Sequence, residues 1–391
     1  MANPLRKLLK RTPVAFLQLT NNPVKLLIAL AGVSFSNLLM FFQLGLMDSI
    51  YNSQRKPIDR LRADLVMVSA GYSNLGSLQD FDRSRLYQAM GVEGVVGVAP
   101  LRVSRGTWIT PDTRKSYDIY VFGVDLSSPS LAFPELENDP SRLRPLGTAL
   151  FDRHSKSQYG NVEETLSRKP MLRVEINRHA VRLVGTFSMG ATFASDANLI
   201  TGDNTFLYLF PDANPRQIQL GLIRLQPGTS AASVQASLQP LMRRDVKVLT
   251  RAELADLEIS YWKRNSSVGF IFSLGVLVGF VVGSIIVYQI LFSDVMNSLP
   301  QYATLKAMGY RDGYVIALVI QQSALLAFIG FIPGVLSSMG LYWVLATVTK
   351  LSVFMTLQRG LLVLLLTFVM CVGSGALATR KLVQLDPADV F

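Results

Sequence analysis

Two histidines, His154 and His179, and one cysteine, Cys371, are the chain's whole supply of imidazole and thiol. An imidazole is the side chain that moves protons near neutral pH or ligates a metal. These two stand 25 residues apart, in no H-E-x-x-H or comparable spacing. A metal site would need further ligands that the surrounding sequence does not offer, so both read as surface or packing residues. Cys371 lies inside an apolar run and reads as a small buried hydrophobe. Being alone, it allows no disulfide within the chain. No C-x-x-C, G-x-S-x-G or G-x-x-x-x-G-K-[ST] occurs, and no Gly-Lys dipeptide exists at all. Without a phosphate-cradling loop, nucleotide hydrolysis has to come from another chain. The chain thus offers no catalytic, cofactor or metal constellation.

The elements that would hold any such chemistry are largely apolar. Half of the 391 residues are hydrophobic (50%), 17% are charged, and the mean hydropathy is +0.32. Residues 26–47, 265–293, 313–349 and 360–379 contain no Asp, Glu, Lys or Arg. About 20 apolar residues cross a bilayer core as a helix, so each stretch is long enough to span. This excludes a soluble enzyme, a nucleic-acid-binding protein and a disordered tail. The formal charge of +11 resolves along the chain in the same sense. Arg6, Lys7, Lys10, Arg11 and Lys25 stand in the first 25 residues with no acid among them, whereas residues 48–267 hold 27 basic and 23 acidic residues. A nucleic-acid binder concentrates its charge in a stripe or patch. Here the only concentrated block adjoins an apolar helix, where anionic lipid headgroups attract it.

These runs give a topology. Residues 1–23 form a basic segment in which Leu5, Leu8, Leu9, Phe16 and Leu19 alternate with charges, as in an amphipathic element lying on a membrane surface. Residues 24–47 are the first span, too long for a signal peptide. The positive-inside rule places the segment before it in the cytoplasm. Residues 48–267 emerge on the other side. Thr250-Arg251-Ala252-Glu253 is a capping-box pattern, and a helix is expected to run from Arg251 through Trp262 into a second span at 268–292. Gly275, Gly279 and Gly283 line one face of that span, a spacing that lets a second helix approach closely, within a subunit or across a dimer. Residues 293–314 return to the cytoplasm, and 315–347 form a third span kinked near Pro333. A short outer loop (348–360) leads to the fourth span (361–379) and a cytoplasmic tail (380–391). Lys350 and Arg359 outside balance Arg380 and Lys381 inside, so loop charge does not test this arrangement.

The external stretch reads as mixed α and β. Strands are expected at Asp64–Ser69, Val95–Val103, Ser116–Val124, Leu172–Ile176 and Val181–Phe187, and helices at Asp82–Met90 and Ser230–Arg243. The 129–147 stretch, with Pro129, Pro134, Pro140 and Pro145, reads as loop-rich and is expected to tie down a surface flap. The fold class is therefore a membrane protein of four transmembrane helices, with a large α+β domain inserted between helices 1 and 2. The spans carry Gln43, Gln289, Gln321 and Gln322 but no ionisable group, which argues against an ion-coupled transporter. The glutamines are expected to hydrogen-bond between helices or to face a cavity. Charge-free spans, no energy source and a large external domain describe one part of a larger machine.

The connector between the second and third spans identifies which machine. Leu299-Pro300-Gln301-Tyr302-Ala303-Thr304-Leu305-Lys306-Ala307-Met308-Gly309-Tyr310 resembles the coupling helix of the MacB/FtsX-like ABC transporter permeases, written E-I-G-I-L-R-A-x-G-A. Lys306, Ala307 and Gly309 stand at its basic, Ala and Gly positions, and Gln301 stands where the pattern has Glu. The variant A-T-L-K-A-M-G-Y, with Ala149–Arg153, Ser157–Gly160, Phe16–Leu19, Leu39–Gly45 and Val287–Leu291, looks like the DevC branch of cyanobacterial permeases. The resemblance implies a homodimer in the bacterial inner membrane, with both termini cytoplasmic and the inserted domain in the periplasm. It implies a separate ABC ATPase carrying the ATP and Mg, a periplasmic membrane fusion protein and a TolC-like outer-membrane duct. It also implies export of glycolipid or other envelope material. FtsX-like regulation of a cell-wall hydrolase and Lol-type lipoprotein extraction share the same layout. On this reading Gln301, Tyr302, Thr304, Leu305, Lys306, Met308, Gly309 and Tyr310 meet the ATPase. Leu305 and Met308 would fill a groove, Lys306 would face an acidic rim, and Gly309 would end the helix.

Overall fold

The computed structural model describes residues 19–20, 22–192, 194–242, 244–310, 312–349 and 353–383. The basic amphipathic segment read at 1–23 and the tail read at 380–391 lie almost entirely outside these residues. In chain order the first elements are α1 (Pro23–Ser53), α2 (Lys56–Asp59), β1 (Leu65–Ser69), β2 (Phe81–Asp82), α3 (Arg83–Gln88), β3 (Val95–Ile109) and β4 (Ser116–Val124). Next come α4 (Pro134–Asn138), β5 (Thr148–Asp152), α5 (Val162–Arg168), β6 (Leu172–Ile176), β7 (His179–Phe187), β8 (Asn198–Gly202) and α6 (Asp203–Leu209). Then follow β9 (Gln217–Ile218), β10 (Leu220–Leu225), α7 (Ala231–Leu241), β11 (Val246–Thr250) and α8 (Arg251–Asn265). The chain closes with α9 (Val268–Asn297), α10 (Leu299–Ala307), α11 (Asp312–Thr349) and α12 (Leu357–Val383). It forms two units, one of residues 1–49 with 267–391 and the other of residues 50–266.

The α/β unit is built on a nine-stranded sheet in the order β11-β1-β10-β3-β4-β8-β5-β7-β6. Its first four strands are antiparallel, and β1-α3-β3 and β10-α7-β11 are two halves of a split βαβ arrangement. Leu86 on α3, Ala89 just after it, and Val234 and Leu238 on α7 cover one sheet face, against Leu65, Met67, Ile223 and Val248. Residues 116–218 are inserted between the two halves. Their strands extend the sheet from β3, and β6 returns to pair with the far end of the same strand through Trp108↔Ile176 and Ile109↔Glu175. Six strands thereby close into a ring around Trp108, Phe151, Leu183 and Leu199, all buried. The 129–147 stretch holds only short helical turns, at Pro134–Asn138 and Pro140–Leu143, and is anchored inward. Leu131, Phe133, Leu136 and Leu143 are buried in the central core, and Phe133 packs edge-on to Phe187 at 5.0 Å. The prolines break regular structure there, but the apolar residues between them still fill the core.

Among the described residues, four helices are long and apolar enough to cross a membrane: Pro23–Ser53, Val268–Asn297, Ile316–Thr347 within α11 and Leu357–Thr379 within α12. Val33, Val287, Ala327, Met370 and Cys371 pack at one level, and Met40, Phe41, Tyr342 and Val363 at another. α11 is one helix of 38 residues that runs through Gly330, Pro333 and Gly334. Proline supplies no backbone N–H to the helix ladder, and Ser337 and Ser338 donate to the nearby Pro333 and Gly334 carbonyls at 2.8 and 2.6 Å.

The expected continuous helix from residue 251 to 292 is interrupted. Thr250 and Glu253 do form the reciprocal cap of α8. The helix stops at Asn265, however, because Ser266 takes an extended conformation (φ −107°, ψ 142°) and its hydroxyl folds back onto the Trp262 carbonyl at 2.5 Å. A serine hydroxyl competes with the helix ladder in this way. α9 then begins afresh at Val268.

Candidate functional site

The connector folds into a short helix of its own. α9 ends at Asn297, and the Ser298 N–H closes onto the Asp294 carbonyl at 3.0 Å. α10 follows at once, with Pro300 in its first turn, where the missing N–H costs no hydrogen bond. Past Met308, Gly309 adopts φ +92°, the left-handed conformation that ends helices and that glycine enters without penalty. No atom lies within 4 Å of where its Cβ would be, so the backbone angle alone calls for glycine.

The residues of α10 divide by side. Tyr302 and Ala303 are buried, and Tyr302 packs with Val295, Val319 and Leu299 in a small core. Gln301 and Thr304 are exposed, and the Thr304 hydroxyl donates to the Pro300 carbonyl at 2.9 Å. Met308 is 63% exposed and Tyr310 47%, and the Tyr310 ring lies 4.9 Å from that of Tyr314. Leu305 and Lys306 fall within α10, but their side chains lie outside the described residues. Among the described contact residues, Tyr302 must be reassigned. It faces inward and anchors the connector on α9 and α11, leaving Gln301, Thr304, Met308 and Tyr310 to present a surface. Spacing alone did not reveal this, because the three-residue step from Leu299 to Tyr302 is short and the partners come from two other helices. The exposed set offers two hydroxyls, an amide and a thioether, and Met308 with Tyr310 gives it apolar surface on which a partner can dock.

The three glycines of α9 lie against α1. A Cβ on Gly275 would strike the Gln43 side chain, one on Gly283 would strike Ser36 and Met370, and one on Gly279 would sit 3.3 Å from Leu39. The Ser36 hydroxyl donates to the Gly279 carbonyl at 2.7 Å. Small residues thus bring two backbones together within one subunit. Of the other glutamines, Gln322 is buried, while Gln289 and Gln321 are exposed.

The spans also hold a charge that reads from sequence as part of the outer loop. Arg359 lies in the first turn of α12 and is 6% exposed. Its Nη2 donates to Asp48 at 2.6 Å, and its Nη1 donates to the Phe354 carbonyl at 2.8 Å and the Tyr342 hydroxyl at 3.2 Å. Tyr342 in turn donates to the Phe41 carbonyl at 2.5 Å. A basic residue beside a break in hydropathy reads as solvated, and only the assembled helices show otherwise.

In the α/β unit the motif residues turn out to be positioning groups. Asp152, fully buried at the end of β5, accepts from the N–H groups of Met189 (3.1 Å) and Gly190 (2.7 Å) and from the Asn198 amide (2.9 Å). Arg153 pairs with Glu135 at 2.5 Å, and the Tyr159 hydroxyl donates to the Asp118 carbonyl. His154 meets the Ser188 hydroxyl at 3.0 Å, whereas the His179 ring lies tilted against Tyr208 at 4.4 Å. The two imidazoles therefore have separate partners, and among the described residues no His/Cys/Asp/Glu group is placed to hold a metal. Sequence reading missed Glu258 on α8. It is fully buried and accepts from the Tyr72 hydroxyl (2.9 Å), the Leu75 N–H (2.9 Å) and the Trp262 indole (3.0 Å). Burial raises its carboxyl above the ordinary value even against those three donors.

Comparison with known proteins places the membrane part. Residues 270–387 match the FtsX-like permease C-terminal family. α9 to α12, with the connector among them, thus form an FtsX-like permease domain, and the chain is a multi-pass membrane protein. A permease domain of this kind is a transmembrane component and not itself catalytic. No curated protein matches the chain in sequence. Among solved structures, the periplasmic region of MacB from Actinobacillus actinomycetemcomitans aligns with a TM-score of 0.36 at 14% identity, over 50% of this chain and 92% of that one. The extracellular domain of the noncanonic ABC-type transporter YknZ from Gram-positive bacteria aligns with a TM-score of 0.32 at 12% identity, over 48% and 99%.

Proposed function

We propose that this chain is the permease subunit of an ABC transporter of the MacB/FtsX type. A separate ATPase, carrying ATP and Mg, docks on the connector, and its closure moves the spans and the inserted domain. The observation that carries this reading is an FtsX-like permease domain whose second and third spans are joined by a short helix with Met308 and Tyr310 exposed beyond it. Exposed apolar residues next to a helix end suit a protein contact. Gln301 offers a neutral amide where a carboxylate is the family pattern, so docking at that point rests on hydrogen bonding without charge.

In its finer form the subunit is a homodimer in the bacterial inner membrane with both termini cytoplasmic. It works with a periplasmic membrane fusion protein and a TolC-like duct, and in the manner of the DevC branch it exports glycolipid or other envelope material. The motif residues around Asp152, Tyr159 and the connector support that branch. Purification of the tagged protein in mild detergent from its native membrane, with identification of every retained chain, tests the reading. An ATPase together with a fusion protein supports the exporter. An ATPase with a cell-wall hydrolase activator makes the chain a regulator, and one with a soluble lipoprotein carrier makes it a Lol-type permease. Recovery with no ATPase refutes the assignment altogether.

A further inference from the structure

The Arg359 cluster holds one end of three spans. Asp48 and the Phe41 carbonyl belong to α1, Tyr342 to α11, and Arg359 with the Phe354 carbonyl to α12 and the turn before it. Among helices whose central stretches carry no charge, a buried guanidinium is expensive unless every donor is met. Here one is not. Among the described residues, the buried Nε of Arg359 has no partner, beside the Nη2 that binds a single oxygen of Asp48. An Arg–carboxylate pair is strongest when two parallel hydrogen bonds form, and this pair makes one. The Asp48 side chain is 43% exposed, so it can turn away from Arg359 without entering the bundle. Gly45 opens the space for the third member. A Cβ there would overlap the Tyr342 ring, and without it Tyr342 reaches the α1 backbone.

We infer that Asp48, Arg359 and Tyr342 form an electrostatic latch with two settings. In one, α1 is held to α11 and α12 by the pair and the tyrosine hydroxyl. In the other, Asp48 turns to water and this end of α1 parts from the other two helices. The single bond to Asp48 and the unmet Nε place the cluster between a fully locked fork and an open state. A permanent staple would meet both donors. The latch does not depend on which partners the permease recruits.

The test uses the full chain with Cys371→Ser and nitroxide labels at Met47→Cys on α1 and Leu357→Cys on α12, reconstituted in lipid nanodiscs. Distances between the labels are read by pulsed electron resonance. In the parent, one short distance should dominate. D48N and R359Q should each populate a second, longer distance, and the charge-swapped D48R/R359D should restore the short one. Y342F removes only a hydroxyl and keeps the ring, so it folds even if the charge variants do not, and it should show the longer distance at an intermediate level. An unchanged single distance in Y342F together with D48N overturns the latch. So does a lowered unfolding midpoint without any second population, because that result describes a static brace.

Discussion

Ser36 and Gly279 are joined by a hydrogen bond of 2.7 Å from a side-chain hydroxyl on one span to a backbone carbonyl on another. Such a contact is possible only where neither backbone is held off by side chains, and the glycine row of α9 provides that approach. The row packs inside the subunit, so any partner copy has to use other surfaces of α9, such as the exposed Phe270, Leu274, Leu277 and Val281.

Gly283→Leu should therefore destabilise the monomer itself. Its first side-chain carbon would meet Ser36 and Met370, and overpacking of this kind costs about 1–3 kcal/mol. Gly313→Ala, with nothing within 4 Å, is the control. Thermal unfolding in detergent should separate the two, and equal midpoints would count against the helix pair described here.

The two sides of the connector should respond oppositely. Tyr302→Ala empties a buried site and should cost about 3–5 kcal/mol, as large aromatic deletions do. Met308→Asp should leave the unfolding midpoint unchanged and abolish retention of the ATPase during purification. An ATPase still bound to that variant would move the docking site elsewhere.

Asp152 answers several donors at once. Replacing it with Ala leaves the Met189 and Gly190 N–H groups unpaired, at about 1–3 kcal/mol for each buried group. Amide hydrogen exchange should rise locally at Met189 and Gly190 and stay as in the parent in β1 and β10. Unaltered exchange at 189–190 would show that other contacts hold that loop.

Glu258 makes a pH prediction with an unusual sign. Its carboxyl is raised by burial, so the folded state binds the proton more tightly than the unfolded chain does. The corresponding stability is complete below the unfolded value and declines as pH rises through the folded one. Ordinary salt-bridged carboxylates do the reverse. Unfolding midpoints measured over about pH 4 to 8 should carry a falling component in the parent that Glu258→Gln removes. A Glu258→Gln profile parallel to that of the parent would assign the slope to other groups.

Some of this was legible from residue order and some was not. β4 and β6 are rich enough in β-branched and aromatic residues to be read at their observed bounds, and the four spans announce themselves by lacking charge. β5 (Thr-Ala-Leu-Phe-Asp) and β8 (Asn-Leu-Ile-Thr-Gly) did not show, because each is only five residues long and ends in a turn-favouring Asp or Gly. The inward turn of Tyr302 and the burial of Arg359 depend on helices far away in sequence. Local pattern carries no information about such partners.

The chain crosses between its two units twice, and the crossings differ in backbone. α1 runs without interruption as far as Ser53. On the return, the extended Ser266 ends one helix before the next begins at Val268. A substitution that favours helix at Ser266 therefore joins two helices into one, whereas the first crossing has no such break to close.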